Sequence, residues 1–133
     1  MVGNRIYVLG GYDGENILNR NDIFIPEETD KPWLTGAPIP YGRYGHGATS
    51  LGNVIYLIGG RSDEGAHLSF QYLPQENKWQ QFGNLVEQSW VNMGIVPLGS
   101  NLHILGGDLG DDLTDQHWSY QAIYTLVLPV IQQ

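Results

Sequence analysis

Four aspartates lie close together in the segment DLGDDLTD, near the end of the sequence. They are Asp108, Asp111, Asp112 and Asp115. Hard cations such as calcium bind several oxygen ligands on a turn, which carboxylates of this kind could supply. The spacing does not match the calcium loop of EF-hand proteins, because the glycine stands at a different position. We expect a solvated turn in which the aspartates bond neighbouring backbone groups, with a calcium site as the alternative.

Asp115 and His117, at the end of this segment, are candidate ligands for a transition metal. Asp115 and His117 are two residues apart and would share one face of a strand. A metal site would need a third ligand, and the sequence shows none nearby. His103 stands where two similar segments carry Tyr7 and Tyr56, so we interpret it as a packed aromatic substitute.

Side chains suited to binding a ligand form the third group of candidates. They are Arg43, Tyr44, His46 and Trp90. Arginine, tyrosine and tryptophan are favoured where proteins bind partners, because they combine contact area with directed hydrogen bonds. Arg43 and Trp90 also hold matching places in a repeating pattern, each sixteen residues before a pair of glycines. Packing within the repeat is therefore the competing interpretation.

One short motif occurs three times and supplies the elements that position these candidates. In each copy, a short apolar run ends in two glycines, and successive copies are roughly 48 residues apart. The pairs are Gly10 with Gly11, Gly59 with Gly60, and Gly106 with Gly107. A fixed period of this size predicts a repeat array. Apolar runs bounded by glycine predict buried strands.

Other features recur in step with the glycines. After each pair comes a polar loop and then a run that ends in proline, at residues 23–26, 70–74 and 124–129. A tryptophan follows in two units, as Trp33 and Trp79. We predict that these runs are strands and that both tryptophans are core residues between the units.

The chain thus resembles the kelch-repeat family, whose signature is a strand ending in Gly-Gly, a loop, a Tyr-x-Pro strand and a downstream Trp. The segments YLPQENKW (72–79) and RYGH (43–46) carry the resemblance best. It implies an all-β propeller built from blades of four antiparallel strands. Units 1–45, 46–92 and 93–133 would then form a single domain, with one complete blade between two incomplete ones.

Three blades form only an arc, since closed propellers have about 4–8 blades. Open blade faces and strand edges promote self-association. We expect a ring of about six blades, formed either by two copies as a homodimer or with a complementary propeller half, the chain then being the C-terminal half of a longer propeller. An open stack of three blades is the remaining alternative.

The charge balance restricts the partners. Acidic residues outnumber basic ones by 14 to 6, and the formal net charge is −8. Nucleic acids and anionic membrane surfaces are disfavoured because both are polyanions. The lack of cysteine excludes disulfides and Cys-ligated zinc. Residues 1–20 lack a basic start followed by an apolar core, so we expect a soluble chain with no visible signal peptide and leave its compartment unassigned.

A noncatalytic binding module is the leading functional hypothesis, in which loops around a central channel recognise a protein or a glycan. Asp13, Asp63 and Glu64 predict an acidic rim there. The first alternative is a sugar-modifying enzyme of mutarotase or epimerase type, which would use Arg43 with Glu87 or His46 and need another chain or an upstream half. The second is a structural scaffold only. No catalytic motif occurs, and calcium is the one cofactor considered.

Overall fold

The computed structural model describes residues 1–65, 68–83 and 88–123. Every regular element in these residues is a β-strand, and all paired strands are antiparallel. In chain order the strands are β1 (Ile6–Leu9), β2 (Asn21–Phe24), β3 (Trp33–Thr35), β4 (Gly47–Leu51), β5 (Val54–Ile58), β6 (Phe70–Leu73), β7 (Lys78–Gln81), β8 (Trp90–Val91), β9 (Gly94–Leu98), β10 (Asn101–Leu105), β11 (Asp108–Leu109), β12 (Asp112–Leu113) and β13 (His117–Gln121). The predicted all-β fold is confirmed. Within the described ranges, no helix is long and apolar enough to cross a bilayer.

The second blade is the complete one. Its strands pair in the order β4-β5-β6-β7, and Gly52, with a φ of 63°, lies in the turn between β4 and β5. The first blade contains β1, β2 and β3, and the third contains β9, β10 and β13. One four-stranded blade therefore lies between two three-stranded ones, as the repeat register predicts.

The third blade differs from the prediction in one strand. We expected residues 124–129 to follow β10 in the sheet, whereas β13 pairs with β10 along its whole length. The chain returns this early because residues 108–113 fold back as a hairpin of β11 and β12, which also pairs with β8. Residues 124–129 lie outside the described part of the chain.

The hydrophobic core lies between the blades. β5 is a central strand of the complete blade, paired with β4 on one side and β6 on the other. It is buried on both faces, which explains its continuous apolar sequence. Tyr56 belongs to one cluster with Leu102 and Ile104 of the third blade, and Leu57 belongs to a second cluster with Leu9 of the first blade. Because neighbouring residues of a strand point to opposite faces, this one strand contributes to both cores.

The two ends of the arc present partly exposed apolar faces. The outer face of the first blade includes Ile6, Val8, Phe24 and Trp33 beside the polar Asp22 and Thr35. The outer face of the third blade includes Val96, Leu98, His103, Leu105 and His117 beside the polar Asn101 and Ser119. Leu98 is 69% exposed and Trp33 is 55% exposed. β1 is therefore less buried than β5, although both have the same apolar pattern.

The two signature tryptophans have different surroundings. Trp79 of the complete blade is half-buried, and its Nε1 donates a hydrogen bond to Ala37 O at 2.8 Å. Trp33 was predicted to pack between blades, but in this chain its ring packs against Phe24 on the outer face, with 4.9 Å between ring centres. The difference arises because the first blade has a neighbouring blade of this chain on one side only.

Candidate functional site

Paired glycines turn the chain at the ends of β1, β5 and β10. Gly59 and Gly60 follow β5 with φ angles of 67° and 98°, in the left-handed region that glycine adopts without steric cost. A Cβ atom on Gly59 would also overlap the carbonyl oxygen of Trp90. Glycine is thus required here both by the turn and by the close approach of the next blade.

Arg43 is fully buried beneath the loop that follows the second glycine pair. Its Nη1 donates to the carbonyl oxygens of Gly59 and Leu68, both at 2.8 Å, and its Nη2 donates to Gly65 O at 3.4 Å. The guanidinium carbon lies 5.2 Å from the centre of the Phe70 ring, within cation–π range. Burial lowers the pKa of Arg43 to about 10. Backbone carbonyl dipoles and an aromatic ring therefore stabilise this buried cation.

Trp90 occupies the equivalent position in the next blade and is also fully buried. Its Nε1 donates to Gly106 O at 2.7 Å, and its ring centre lies 6.0 Å from that of Trp118. Arg43 and Trp90 are chemically different, yet the side chain of each donates a hydrogen bond to a carbonyl oxygen at the same relative position. That oxygen belongs to the first glycine of a pair, sixteen residues further along the chain.

The main chain at these two positions makes a matching contact to the preceding blade. Gly11 N–H donates to Arg43 O at 2.8 Å, and Gly60 N–H donates to Trp90 O at 2.6 Å. The inner series is the name used here for four hydrogen bonds. They are these two bonds, the bond from Arg43 to Gly59 and the bond from Trp90 to Gly106. Each of the two residues links the second glycine of the preceding blade to the first glycine of its own. The inner series therefore runs through all three blades.

The other two candidates of this segment lie beside Arg43. His46 is half-buried, and its Nδ1 is buried with no hydrogen-bond partner among the described residues. Burial and the charge of Arg43 lower the pKa of His46 to about 4, so its imidazole is neutral at pH 7. Tyr44 is half-buried with its ring centre 5.5 Å from that of Tyr12, and it exchanges two backbone hydrogen bonds with Arg61.

A groove of about 300 Å³ opens where the loops of the first two blades meet. It is lined by Ile17, Pro40, Tyr41, Gly42, Ser62, Asp63 and Glu64. The surface formed by residues 12–17, 40–44, 61–65 and 108–113 is called here the loop face. Tyr41 is partly exposed, and its ring centre lies 6.2 Å from that of buried Phe70. An anchored aromatic ring beside two carboxylates suits a partner with both cationic and apolar groups.

Carboxylates continue along the loop face. Asp13 accepts hydrogen bonds from the backbone N–H groups of Glu15 and Asn16, at 2.9 Å and 2.7 Å, and these bonds lower the pKa of Asp13. The hairpin of β11 and β12 is called here the acidic hairpin, and in it Asp108 Oδ2 accepts a hydrogen bond from Asn92 Nδ2 at 3.0 Å. Asp111 lies 4.0 Å from Arg61 Nη2.

The four aspartates of this hairpin region do not form a cage. In the parts of the chain that the structure describes, no three His, Asp or Glu side chains converge so that they could hold a metal ion. Asp112 is exposed in β12, and Asp115 is exposed just before β13. The calcium site stays a prediction, and the acidic rim is the broader description of this surface.

A kelch motif model matches residues 1–31 and 42–86, which is more than half of the chain. This chain belongs to the kelch-repeat family. The matched residues cover β1 and β2 of the first blade and all four strands of the complete blade of this kelch chain, and the third blade lies beyond them.

Similar proteins come from the same family. The kelch chain is 31% identical over 110 residues to Kelch-like protein 23 of Homo sapiens, which covers 82% of this chain and 20% of that protein. It is 28% identical over 116 residues to Kelch-like protein 25 of Homo sapiens, covering 80% of this chain and 19% of that protein. Kelch-like protein 25 of Xenopus laevis is 27% identical over the same coverage. The chain therefore spans about a fifth of the length of the curated relatives it matches.

The predicted site residues fall into two groups in this kelch chain. Arg43 and Trp90 belong to the inner series and are fully buried, so a ligand would reach them only after the loops above them moved. Their ligand-binding role stays a prediction, and their geometry favours packing of the blades. Tyr44 and His46 are half-buried beside them. The enzyme alternative also stays a prediction, and Glu87, which it names, lies outside the described residues.

The sequence did not predict one pair of side chains. His103 Nδ1 lies 2.9 Å from His117 Nε2, and the two rings stack with 5.1 Å between their centres. His103 faces Ser119 and His117 faces Leu105 across β10 and β13, so the two histidines are diagonal neighbours on one face of the sheet. The only signal in the sequence was the histidine at 103 in place of the tyrosine of the sister strands.

Proposed function

We propose that this kelch chain is a noncatalytic binding module that recognises a basic segment of a partner protein through its loop face. The observation that carries the proposal is the groove in which the ring of Tyr41 lies beside Asp63 and Glu64. Loops held on a rigid scaffold are the usual place for recognition. The net charge of −8 favours a cationic partner and its electrostatic steering.

The scaffold beneath the groove supports this role. Tyr41 is the anchor, because its ring is backed by Phe70 and remains partly exposed. The bonds from Arg43 to Gly59, Leu68 and Gly65 fix both ends of the loop that carries the two carboxylates. A preorganised loop loses less conformational entropy when a partner binds. The groove therefore combines a fixed aromatic surface with negative charge at its edge.

A panel of synthetic peptides tests this proposal. The peptides are equal in length and fall into three sets: peptides rich in lysine and arginine, neutral peptides and acidic peptides. Binding is measured by fluorescence polarisation at two salt concentrations. We expect saturable binding of basic peptides that also carry apolar residues, weakened by salt. Tyr41→Ala should weaken it about tenfold. Asp63→Asn with Glu64→Gln should weaken it about three- to tenfold, because rim charges contribute modestly.

Two variants at the other end of the strands serve as controls. Glu28→Gln removes an exposed carboxylate from the turn after β2. Arg5→Gln alters a larger groove, about 510 Å³, that lies by Tyr7 and Pro74. Neither should change peptide binding. Equal binding of acidic and basic peptides, or loss of binding only in Arg5→Gln, would contradict the proposal. Binding to a glycan array but to no peptide would instead indicate carbohydrate recognition.

We also propose that two copies of the chain associate through their outer faces, the first blade of one against the third blade of the other. Trp33 at one face and Leu98 at the other are large apolar side chains that are more than half exposed, and burial of such surface drives association. Applied twice about a two-fold axis, this contact would close a ring of about six blades, within the usual range for propellers.

A further inference from the structure

One exposed arginine interrupts the negative charge of the loop face. Among the described residues of this face, the exposed acidic side chains are those of Asp13, Glu15, Asp63, Glu64, Asp111 and Asp112. Arg61 is the exposed cation among them, because the other arginine of the face, Arg43, is fully buried. A general acidic rim does not account for a positive charge at this place.

Arg61 lies between two groups of carboxylates. On one side, Asp63 and Glu64 line the groove where the first two blades meet, and they are called here the groove patch. On the other side, Arg61 Nη2 lies 4.0 Å from Asp111 Oδ1. Asp111 and Asp112 of the acidic hairpin are called here the hairpin patch. The guanidinium group therefore separates two regions that each attract a cation.

The backbone of Arg61 is fixed, while its side chain remains accessible. Arg61 N–H donates to Tyr44 O at 2.8 Å, and Tyr44 N–H donates to Arg61 O at 3.0 Å. The side chain is 49% exposed, and its ion pair with fully exposed Asp111 is at the outer limit of distance. Exposed pairs of this kind contribute little to stability. The guanidinium group can therefore bind a partner's carboxylate through two parallel hydrogen bonds.

A uniformly basic segment does not match this arrangement of charges. If such a segment lay across both patches, one of its cations would lie against Arg61, and like charges at an interface repel. An acidic residue at that point would instead pair with the guanidinium group. Because an extended segment advances about 3.3 Å per residue, lysines two or three residues away on either side would then reach the two patches.

We propose that Arg61 selects partner segments in which an acidic residue stands between basic residues. The inference rests on the proposed function, since it assumes that a basic segment lies across the loop face. Arg61 is then a specificity-determining residue that repels uniformly basic segments and pairs with the acidic residue of the matching ones. Specific interfaces commonly combine a repulsive element with an attractive one in this way.

Three peptides of equal length test the effect of charge order. All contain four lysines and one phenylalanine at fixed positions. The first has a glutamate between two pairs of lysines, the second has the glutamate at one end, and the third has glutamine in place of glutamate. Fluorescence polarisation measures the dissociation constants. We expect the first peptide to bind about three- to tenfold more tightly than the second, although their net charges are equal.

Variants of the chain assign this preference to Arg61. Arg61→Gln should remove the preference and should tighten binding of the glutamine peptide about three- to tenfold, because a repulsive charge is lost. A merely structural role would instead weaken binding of all three peptides. Arg61→Lys should retain the repulsion and lose part of the preference, since an ammonium group lacks the paired donors of arginine.

Lys31→Gln is the matched control, because it removes an equal charge from an exposed position in the turn between β2 and β3. It should leave the preference unchanged. Equal binding of the two glutamate peptides to the original chain would overturn the inference. A preference that persists in Arg61→Gln, or that disappears in Lys31→Gln, would also overturn it. In these cases lysine-rich peptides still bind and the proposed function stands. If none of them binds the original chain, the proposed function fails and this inference fails with it.

Discussion

Arg43 and Trp90 donate the same hydrogen bond in successive blades, from Arg43 Nη1 to Gly59 O at 2.8 Å and from Trp90 Nε1 to Gly106 O at 2.7 Å. The position therefore requires a long, buried side chain with an N–H group at its end, and it accepts either a cation or a neutral indole. Because each residue also accepts a bond from the preceding blade, the two positions couple the blades.

The first prediction concerns the donors of the inner series. Trp90→Phe removes the N–H group and leaves Gly106 O without that hydrogen-bond donor. The free energy of unfolding should therefore fall by about 1–2 kcal/mol. Arg43→Met leaves several buried carbonyls unpaired and should cost about 3 kcal/mol or more. Urea denaturation measures both. Trp118→Phe is the matched control, since its Nε1 bonds exposed Gln116 and its loss should cost less than about 0.5 kcal/mol. An equal loss in the Trp90 and Trp118 variants would contradict the buried role.

The second prediction separates backbone conformation from crowding. Gly52 and Gly59 have nearly the same φ, 63° and 67°. An added Cβ meets nothing at Gly52, whereas at Gly59 it overlaps Trp90 O. Gly52→Ala should therefore cost about 1 kcal/mol for its left-handed backbone. Gly59→Ala should cost at least about 2 kcal/mol more, because the blades must move apart. Chemical denaturation of the two variants measures the difference, and similar losses would argue against close contact between the blades.

The third prediction is a pH dependence of stability that arises from His46. Its pKa is lowered from 6.5 to about 4 in the folded state, so the unfolded chain binds a proton at higher pH than the folded chain does. The associated stability is fully present above about pH 6.5 and is lost as the pH falls toward 4, by up to about 3 kcal/mol. Urea titrations between pH 7 and pH 4 measure the slope.

A variant isolates the contribution of this histidine. His46→Asn should be less stable than the original chain at pH 7 and should show a flatter dependence over the same pH window. Asp13, whose pKa is lowered from 3.8, contributes mainly at the acidic end of this window and below it, and it is unchanged in the variant. Parallel curves for the two proteins between pH 4 and pH 6.5 would show that His46 does not titrate as proposed.

The fourth prediction concerns association through the outer faces. Light scattering should give a mass about twice that of the 14.8 kDa chain, with dissociation on dilution. Leu98→Asp places a charge on the outer face of the third blade and should give the single-chain mass, because an unpaired charge would be buried. Leu113→Asp, at an exposed leucine of the acidic hairpin, should leave the mass unchanged. A single-chain mass at all concentrations would refute the ring.

Much of this fold could be predicted because paired glycines mark places where the backbone adopts a conformation that other residues disfavour. At Gly10, Gly59 and Gly106 the backbone has positive φ, and local requirements of this kind are visible in the sequence. The third strand of the third blade was not predictable in this way. Its position depends on the hairpin of β11 and β12, which forms through pairing with β8, and such pairing depends on contacts distant in sequence.

The candidate site was less predictable than the fold. The repeat pattern includes Arg43, but the carbonyl oxygens that accept its hydrogen bonds come from several other places in the chain. The contact of His103 with His117 depends on the register of two strands, which no local pattern specifies. In each case the residue type was informative, whereas its environment required the tertiary structure.

The acceptors that hold Arg43 are all backbone carbonyls, those of Tyr41, Gly59, Leu68 and Gly65. A carbonyl group is present at every residue, so this anchoring places little demand on which side chains Ser62, Asp63 and their neighbours carry. Evolution could exchange those side chains, and with them the preferred partner, without removing the hydrogen bonds from Arg43 that hold the loop. The same property makes residues 61–64 a natural place for an engineer to diversify when a new specificity is sought.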